Sequence, residues 1–426
     1  MSPTFHSLRI RNYRLFAAGG VVSNIGTWMQ RIAQDWLVLE LTDNNGVALG
    51  ITTGLQFLPM LFVAPWAGSL ADRYSKRMLL IATQSFMGVV AAVLGLLVVT
   101  DVVQVWHVFL LAGLLGIGAA VDAPARQSFV IEMVGPDDVS NAVGLNSASF
   151  NLGRVVGPAL AGFLIVLFST GPVFLINAAS YLAVILALRA MREDELHSSP
   201  RSEGGRGQVL EGVRYVRNRP DLMLVLVIVF FVGTFGLNFQ MTSALMATEV
   251  FDKGAGEYGL LGSVLAIGSL SGALLAARRG RPRLRLVVLS AIAFGLVEIV
   301  AGLMPTYVAF ISVLIPIGLA QMTLLNSANS TIQLGVDPVM RGRVMALYMA
   351  VLMGGSPFGA PLVGVVAETL GPRWTLILGG LISVLAAALA ALLLARREGL
   401  QVRGELVQLP RHRFSHADVH DRAQQA

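Results

Sequence analysis

A stripe of polar residues runs along the first long apolar segment of the chain. It consists of Asn24, Thr27, Arg31 and Asp35, and it is flanked by Gln30 and Gln34. The four residues are spaced i, i+3, i+7 and i+11, so on a helix they lie along one face. The residues alone allow two interpretations. Asp35 is a protonatable, cation-sensing carboxylate with Arg31 as its partner, or the two form a structural salt bridge that orients the helix.

The composition shows why these charges matter. The chain has 426 residues, of which 55% are hydrophobic and 13% are charged, and its mean hydropathy is +0.71. A water-soluble fold normally carries about a quarter charged residues because it needs a polar surface. The composition therefore predicts a protein whose surface faces lipid. An Arg or Asp exposed to lipid at a helix centre costs about 2.5–3.5 kcal/mol, so Arg31 and Asp35 should face a watery cavity or each other.

Charge and cysteine content narrow the function classes. The net charge of +6 is expected to arise from basic loops on the cytoplasmic side of a membrane, rather than from a nucleic-acid-binding surface. The chain has no cysteine, which excludes disulfides, zinc–thiolate sites, iron–sulfur clusters and a cysteine nucleophile. There is no HExxH or GxSxG motif, so an intramembrane enzyme is disfavoured and no metal or other cofactor is expected.

Twelve segments are long and apolar enough to span a bilayer, which takes roughly 20 residues per helix. In the first half they lie near 14–39, 47–71, 78–100, 104–125, 140–169 and 172–191. In the second half they lie near 222–247, 257–278, 284–304, 306–330, 343–368 and 373–395. We therefore predict an all-α membrane protein with six-helix bundles over 1–191 and 222–395. A cytoplasmic linker is predicted over 192–221, and a disordered cytoplasmic tail over 396–426.

Basic residues indicate the orientation of these segments. Most basic residues fall on the side of the membrane that carries both termini. The six loops on the opposite side contain only two basic residues, Lys253 and Arg373. This asymmetry predicts that both termini lie in the cytoplasm, with the chain in a bacterial cytoplasmic membrane. The two halves also echo each other, because Gly171-Pro172 and Gly371-Pro372 open the sixth and twelfth segments. Such a repeat predicts two bundles related by a pseudo-two-fold axis, with a central site between them.

A second set of polar residues lies inside segments of the C-terminal half. Asn238 and Gln240 are in the seventh segment, and Gln321 and Asn326 are in the tenth. We predict that these four residues contact the substrate, together with Gln34 and the four residues of the stripe in the first segment. The alternative is that they form interhelical hydrogen bonds that fix the packing. Glu298, a lone carboxylate in the ninth segment, is interpreted as structural.

The junction after the second segment carries a distinctive pattern, Gly68-Ser-Leu-Ala-Asp72-Arg73-Tyr-Ser-Lys76-Arg77. It resembles the signature loop of the major facilitator superfamily, Gly-x-x-x-Asp-Arg-x-Gly-Arg-Arg. The residues that match are Gly68, Asp72, Arg73, Lys76 and Arg77, whereas Ser75 replaces a glycine. The resemblance implies the two-bundle, twelve-helix fold of that superfamily and a cytoplasmic gate at these five residues. The alternative is a basic anchor with no gating role.

The fifth segment carries a second resemblance. Gly153, Arg154, Gly157, Pro158 and Gly162 resemble the helix 5 motif that marks antiporters of the superfamily, with alanine in place of one glycine. The alternative is a plain packing face, since glycines four apart allow close approach and proline kinks a helix.

The corresponding helix 4 motif of drug antiporters is incomplete. Ala112 and Leu115 stand where its Arg and Gln would be. The resemblance links that arginine to proton transfer, so any proton coupling would have to run through the first segment, at Asp35 and Arg31.

A third pattern refines the family resemblance. Asp122-Ala-Pro-Ala-Arg126-Gln127, followed by Asn146-Ser147 and the fifth-segment motif, resembles the branch of enterobactin exporter-like and multidrug efflux proteins. This implies export of small amphipathic molecules, such as drugs or siderophores, driven by proton antiport. An importer, a lipid transporter and an uncoupled facilitator are the alternatives. The expected partners are a small-molecule substrate, protons and membrane lipid, with a monomeric protein and no nucleic acid.

Overall fold

The computed structural model describes residues 3–135, 137–197, 208–278 and 284–397 of the chain. For residues 3–4, 64–69, 71–73, 208–210, 277 and 394–397 it describes the backbone alone. Every regular element in the described ranges is helical. The predicted tail beyond residue 397 lies outside these ranges, and so do residues 198–207 of the predicted linker.

Twelve long helices dominate the described part of the fold. Those of the first half are α1 (Arg11–Leu41), α2 (Gly46–Arg73), α3 (Lys76–Val99), α4 (Val105–Val134), α5 (Val139–Phe168) and α6 (Thr170–Arg189). Those of the second half are α7 (Pro220–Val250), α8 (Ala255–Arg278), α9 (Leu284–Gly302), α10 (Tyr307–Gly335), α11 (Pro338–Leu370) and α12 (Pro372–Arg397). A linker helix over Gln208–Arg217 precedes α7.

These helices have the length and composition of membrane spans. Each of α2 to α12 contains an apolar stretch long enough to cross a bilayer. The remaining helix, α1, has 31 residues and is therefore about 46 Å long, but it also carries Arg31 and Asp35. It packs against α5 and α6, so its charged face does not have to meet lipid. The prediction of an all-α membrane fold with twelve long helices is confirmed.

Two helices differ from the sequence prediction in informative ways. α4 continues to Val134, beyond the predicted end at 125, because the apolar face of its last turns packs against the protein. The prediction stopped early because Arg126 and Glu132 lower the hydropathy of those turns. It ends at Gly135, whose φ of +71° is a left-handed conformation that favours glycine. α2 runs through Arg73, so most of the predicted signature loop is helical.

The helices form two groups of six. In the N-terminal group α1 packs against α5 and α6, α2 against α4, and α3 against α4 and α6. In the C-terminal group α8 packs against α10, and α9 against α10 and α12. The groups meet mainly through two helix pairs, α2 with α11 and α5 with α8. This arrangement is typical of two repeats that enclose a central site.

The backbones of the two groups approach closely on the side of the membrane opposite the chain termini. On that side α2 and α8 begin, whereas α5 and α11 end. A Cβ atom placed on Gly50 of α2 would lie 2.4 Å from the carbonyl oxygen of Ala360 in α11. A Cβ atom on Gly259 of α8 would lie 2.3 Å from the carbonyl oxygen of Pro158 in α5. Because a side chain does not fit at such distances, these glycines allow the opposite side to close.

Replacing Gly50 by leucine should open the opposite side. The new side chain would displace the backbone at Ala360, and overpacking of this kind costs about 1–3 kcal/mol, which corresponds to at least about a fivefold shift toward an open form. The chain has no cysteine, so a single thiol in place of Ala367, which is 4% exposed, would report opening through faster labelling by a membrane-impermeant maleimide. The control is Gly113→Leu, because nothing lies within 4 Å of a Cβ atom there. Equal labelling rates in the two variants would contradict this closure.

Candidate functional site

Asp35 of α1 is hydrogen-bonded across the two groups of helices. Its Oδ2 atom accepts a bond of 2.6 Å from Nε2 of Gln240 in α7 and one of 2.8 Å from the hydroxyl of Tyr258 in α8. Asp35 is 5% exposed and Tyr258 is 1% exposed. A buried carboxylate is strongly destabilised unless it is hydrogen-bonded or paired, so the two donors determine where it lies. Asp35 thereby ties the N-terminal group to the C-terminal group.

This bonded cluster lies toward the closed side. Asp35 is in the last two turns of α1, and Tyr258 is in the first turn of α8. Gln240 lies between two π-helical segments of α7, Val232–Gly236 and Met246–Val250. Breaks of this kind are frequent at functional sites because they re-aim the side chains between them. The cluster is therefore positioned by the ends of α1 and α8 and by the irregular centre of α7.

Sequence reasoning missed Tyr258. A single tyrosine at the start of an apolar segment forms no motif and no periodic pattern. The signal that could have found it is membrane depth, since the end of α1 and the start of α8 lie on the same side. The Trp36 ring stacks on the Tyr258 ring with their centroids 6.3 Å apart, which strengthens the contact between these helices.

Arg31 does not pair with Asp35, although the two residues are one helical turn apart. Among the described residues Arg31 forms no ion pair. Its guanidinium carbon lies 4.8 Å from the centre of the Trp28 ring and 5.7 Å from that of Phe57 in α2. The structural salt bridge considered from the sequence is therefore not formed, because the carboxylate takes its hydrogen bonds from the C-terminal group.

The other polar residues of the stripe in α1 form hydrogen bonds with helices of the N-terminal group. Asn24 donates a 2.9 Å hydrogen bond to a serine hydroxyl of α5, and Thr27 hydrogen-bonds with Tyr181 of α6. Gln34 is 1% exposed, and its Oε1 atom has no hydrogen-bond partner among the described atoms. Of the predicted stripe, Asp35 is the residue whose described hydrogen bonds reach the C-terminal group.

The glycine motif of α5 packs against both groups. Cβ atoms on Gly153 and Gly157 would lie 2.8 Å and 2.6 Å from atoms of Asn24 and Trp28 in α1. A Cβ atom on Gly162 would lie 2.6 Å from a backbone carbonyl oxygen of α8. The motif therefore brings α1, α5 and α8 within backbone contact, which is the close packing that its glycines predict.

Pro158 marks the place where α8 enters the hydrogen bonding of α5. The hydroxyl of Ser263 in α8 accepts a 3.1 Å bond from the Ala159 amide and donates a 2.6 Å bond to the Val155 carbonyl. In an unbroken helix the amide and the carbonyl would bond to each other. Ser263 is thus a second polar link between the groups, and no sequence pattern marked it.

Arg154, the charged member of the α5 motif, has no acidic partner among the described residues. Its guanidinium carbon lies 5.9 Å from the centre of the Trp28 ring. The sequence left open an acid across the bundle as its partner, and the described residues supply none.

The predicted substrate residues of the C-terminal half are not gathered in one place. Gln240 reaches Asp35, but Asn238 is 6% exposed and donates a 2.8 Å hydrogen bond to a carbonyl of its own helix. In α10 Gln321 is buried and Asn326 is half-buried. The described hydrogen bonds connect neither of them to α1. Asn238 therefore stabilises the break in α7, and Gln240 alone of the four joins the cluster around Asp35.

Glu298 of α9 is a separate buried carboxylate. It is 2% exposed, and its Oε2 atom has no hydrogen-bond partner among the described atoms. Its carboxyl group lies beside Gly236 of α7 and Gly379 of α12. All three helices belong to the C-terminal group, so Glu298 does not bridge the two groups.

The basic end of the signature pattern anchors α3 within the N-terminal group. Lys76 forms an ion pair with Glu132 of α4, and Arg77 forms one with Glu193 beyond the end of α6. Arg77 also donates from Nε to a carbonyl oxygen near the end of α6 at 2.6 Å. The structure describes only the backbone of the three other matching residues, Gly68, Asp72 and Arg73.

Comparison with known sequences identifies the family. The sequence profile of the transmembrane secretion effector family matches residues 2–422. The chain belongs to this family. Two relatives of the chain are the staphyloferrin A transporter of Staphylococcus aureus and the multidrug efflux pump Tap of Mycolicibacterium fortuitum. The first is 24% identical over 84% of this chain and 90% of its own length. The second is 28% identical over 90% of this chain and 95% of its own length.

The fold of the chain agrees with those of solved transporters. A bacterial homologue of the human lysosomal transporter Spinster, in an inward-facing and unoccupied conformation, matches with a TM-score of 0.68. The match has 16% identity and covers 92% of this chain and 97% of that chain. At that identity the likeness shows the fold alone. Together with the family, it confirms the predicted resemblance: the chain is a transporter of the major facilitator superfamily.

Tyr258→Phe should weaken the closure of the opposite side. The change removes one of the two hydrogen bonds to the Asp35 carboxylate, and a bond to a charged group contributes about 1.5–3 kcal/mol. We expect labelling of a single cysteine at Ala367 to accelerate at least about tenfold.

Tyr348→Phe is the matched control, because that buried hydroxyl bonds to a carbonyl of α10 inside the C-terminal group. A double-mutant cycle with Asp35→Asn then tests the link. If the effects of Tyr258→Phe and Asp35→Asn on the free energy of opening simply add, the two residues act independently and the link is contradicted.

Proposed function

We propose that the chain exports small amphipathic molecules by proton antiport and that Asp35 carries the coupled proton. The observation that supports this most directly is the bonding of one buried carboxylate to Gln240 and Tyr258 in the other helix group. A carboxylate can exist in two charge states, and here its charge affects how firmly the groups hold together. Coupled transport needs such a link between protonation and conformation.

These hydrogen bonds link the charge of Asp35 to the closure of the opposite side. An ionised Asp35 accepts charge-assisted bonds from Gln240 and Tyr258, and such bonds are roughly twice as strong as neutral ones. The charge of Asp35 therefore changes how firmly the two groups are held together on the opposite side. By linkage, opening and closing that side must change the proton affinity of Asp35.

The proposed orientation places both termini in the cytoplasm of a bacterium, as the distribution of basic residues indicates. The closed side then faces out of the cell. Protons would enter from outside and leave inside, in the direction of the usual gradient. A substrate taken from the cytoplasm would move the opposite way, which is export.

Substrate contact is assigned to nine polar residues of α1, α7 and α10. They are Asn24, Thr27, Arg31, Gln34 and Asp35 in α1, Asn238 and Gln240 in α7, and Gln321 and Asn326 in α10. The relatives named as a multidrug efflux pump and a staphyloferrin A transporter support substrates in the range of drugs and siderophore-like compounds. The protein works as a lipid-embedded monomer and not as an enzyme. An importer, a lipid transporter and an uncoupled facilitator are the other outcomes of the tests below.

Asp35→Asn should abolish gradient-driven transport. Purified protein in liposomes with an imposed pH gradient would be tested with a panel of anionic, neutral and cationic amphiphiles that includes pyrenebutyrate, its methyl ester and ethidium. We expect the initial rate for any transported compound to fall at least about tenfold, because the carboxamide cannot take up and release the proton. The control is Glu298→Gln, which neutralises a buried carboxylate inside one helix group and should leave the rate within about twofold of the wild type. A wild-type rate in Asp35→Asn would remove Asp35 from the coupling mechanism.

The signature residues Gly68, Asp72, Arg73, Lys76 and Arg77 are assigned to a cytoplasmic gate. Asp72→Asn should slow transport of every substrate by a similar factor, because a gate controls cycling and does not touch the substrate. Initial rates for several compounds in the same liposomes would measure this. A changed order of preference among the compounds would contradict the gate.

A further inference from the structure

Two arginines of the N-terminal group lie beside one aromatic ring. The guanidinium carbon of Arg31 lies 4.8 Å from the centre of the Trp28 ring, and that of Arg154 lies 5.9 Å from it. The arginines come from α1 and α5, two helices that the glycines of α5 bring into close contact. Both side chains are half-buried, so they lie within the protein and are still accessible to a ligand.

Neither arginine forms a direct ion pair among the described residues, although the charge of Asp35 attracts that of Arg31 through space. Asp35 is the acid closest along α1, and its described hydrogen bonds go to Gln240 and Tyr258. No described acidic side chain forms an ion pair with Arg154, whose charge instead interacts unfavourably with that of Arg31. Attraction to aromatic rings offsets only part of the cost of holding two cations at membrane depth. An anion between them would offset the rest.

We propose that Arg31 and Arg154 bind the negatively charged group of the transported molecule, and that the substrates of this protein are amphipathic organic anions. A carboxylate, sulfonate or phosphate would receive charge-assisted hydrogen bonds from two guanidinium groups, whose planar donors suit oxyanions. This inference rests on the proposed function and names the substrate class of the same site. It also gives the charged residue of the α5 motif a direct role in binding.

The surroundings of the two arginines suit the apolar part of such a molecule. The Phe57 ring lies 5.7 Å from the guanidinium carbon of Arg31. The Phe150 ring meets the Trp28 ring edge to face, with their centroids 5.6 Å apart. Aromatic side chains from α1, α2 and α5 therefore lie against the arginines or against the Trp28 ring that both arginines approach. Aromatic faces provide contact area for hydrophobic bodies of varied shape, which fits a transporter of amphiphiles.

Binding of three matched probes would test the charge requirement. Pyrenebutyrate, its methyl ester and pyrenebutylamine share one apolar body and differ in a single group that is anionic, neutral or cationic. The purified full-length protein would be held in nanodiscs without a pH gradient, and energy transfer from its five tryptophans to pyrene would report binding. We expect pyrenebutyrate to bind at least about tenfold more tightly than either other probe.

Variants at the two arginines then test the location. Arg31→Gln and Arg154→Gln should each weaken pyrenebutyrate binding at least about tenfold and leave the other two probes within about twofold of the wild type. Arg154→Lys, which keeps the charge, should restore part of the lost affinity. The matched control is Arg14→Gln, which removes an exposed arginine from the same helix α1. Size-exclusion profiles and melting temperatures would confirm that every variant used is folded.

Three results would overturn the inference. They are equal affinity for the acid and its ester, preference for the amine, and a loss of affinity for all three probes alike in the arginine variants. The last result would show that the arginines support packing around Trp28 without contacting an anion. The assay measures equilibrium binding only, so its failure leaves proton-coupled export untouched. Conversely, selective binding of pyrenebutyrate without gradient-driven export in liposomes would overturn the proposed function and not this inference.

Discussion

The fold depends on what a buried carboxylate requires at membrane depth. Lipid offers no hydrogen bonds, so Asp35 is stable only where protein donors replace water. It takes those donors from Gln240 and Tyr258, which belong to the other helix group. These two hydrogen bonds hold the end of α1 against the irregular centre of α7 and the first turn of α8. A requirement of a single side chain thus helps to determine how two six-helix groups meet.

Close backbone packing allows the two helix groups to separate and to come together again. The groups touch through Gly50 and Gly259, where each missing side chain admits a carbonyl oxygen of the other group. Contacts of this kind contribute mainly through dispersion, which fades over a short separation. The polar links at Asp35 and Ser263 are directional and break as discrete units. The protein can therefore change the side from which its central site is reached by breaking a small number of specific hydrogen bonds. Alternating access requires such a change.

The sequence was sufficient for the architecture and for the key carboxylate, but not for its partners. Hydropathy predicts twelve spans because lipid imposes a nearly fixed apolar length on every helix. Helical periodicity places Arg31 one turn from Asp35, and at that spacing a salt bridge is the natural expectation. Contacts between residues more than 200 positions apart, such as Asp35 with Gln240 and Tyr258, have no local signature. Tyr258 and Ser263 were missed for the same reason.

The separation of Arg31 from Asp35 has a mechanistic consequence. If the two residues formed a salt bridge, an anionic substrate and the carboxylate would compete for one guanidinium, and the proton and the substrate would share a site. Here Asp35 is held by the C-terminal group, whereas Arg31 lies against Trp28 and Phe57 of the N-terminal group. The two are still joined by one rigid turn of α1. A ligand that draws Arg31 toward Arg154 would therefore pull on the helix that carries the bonds of Asp35, so α1 itself can connect substrate binding to the closure of the opposite side.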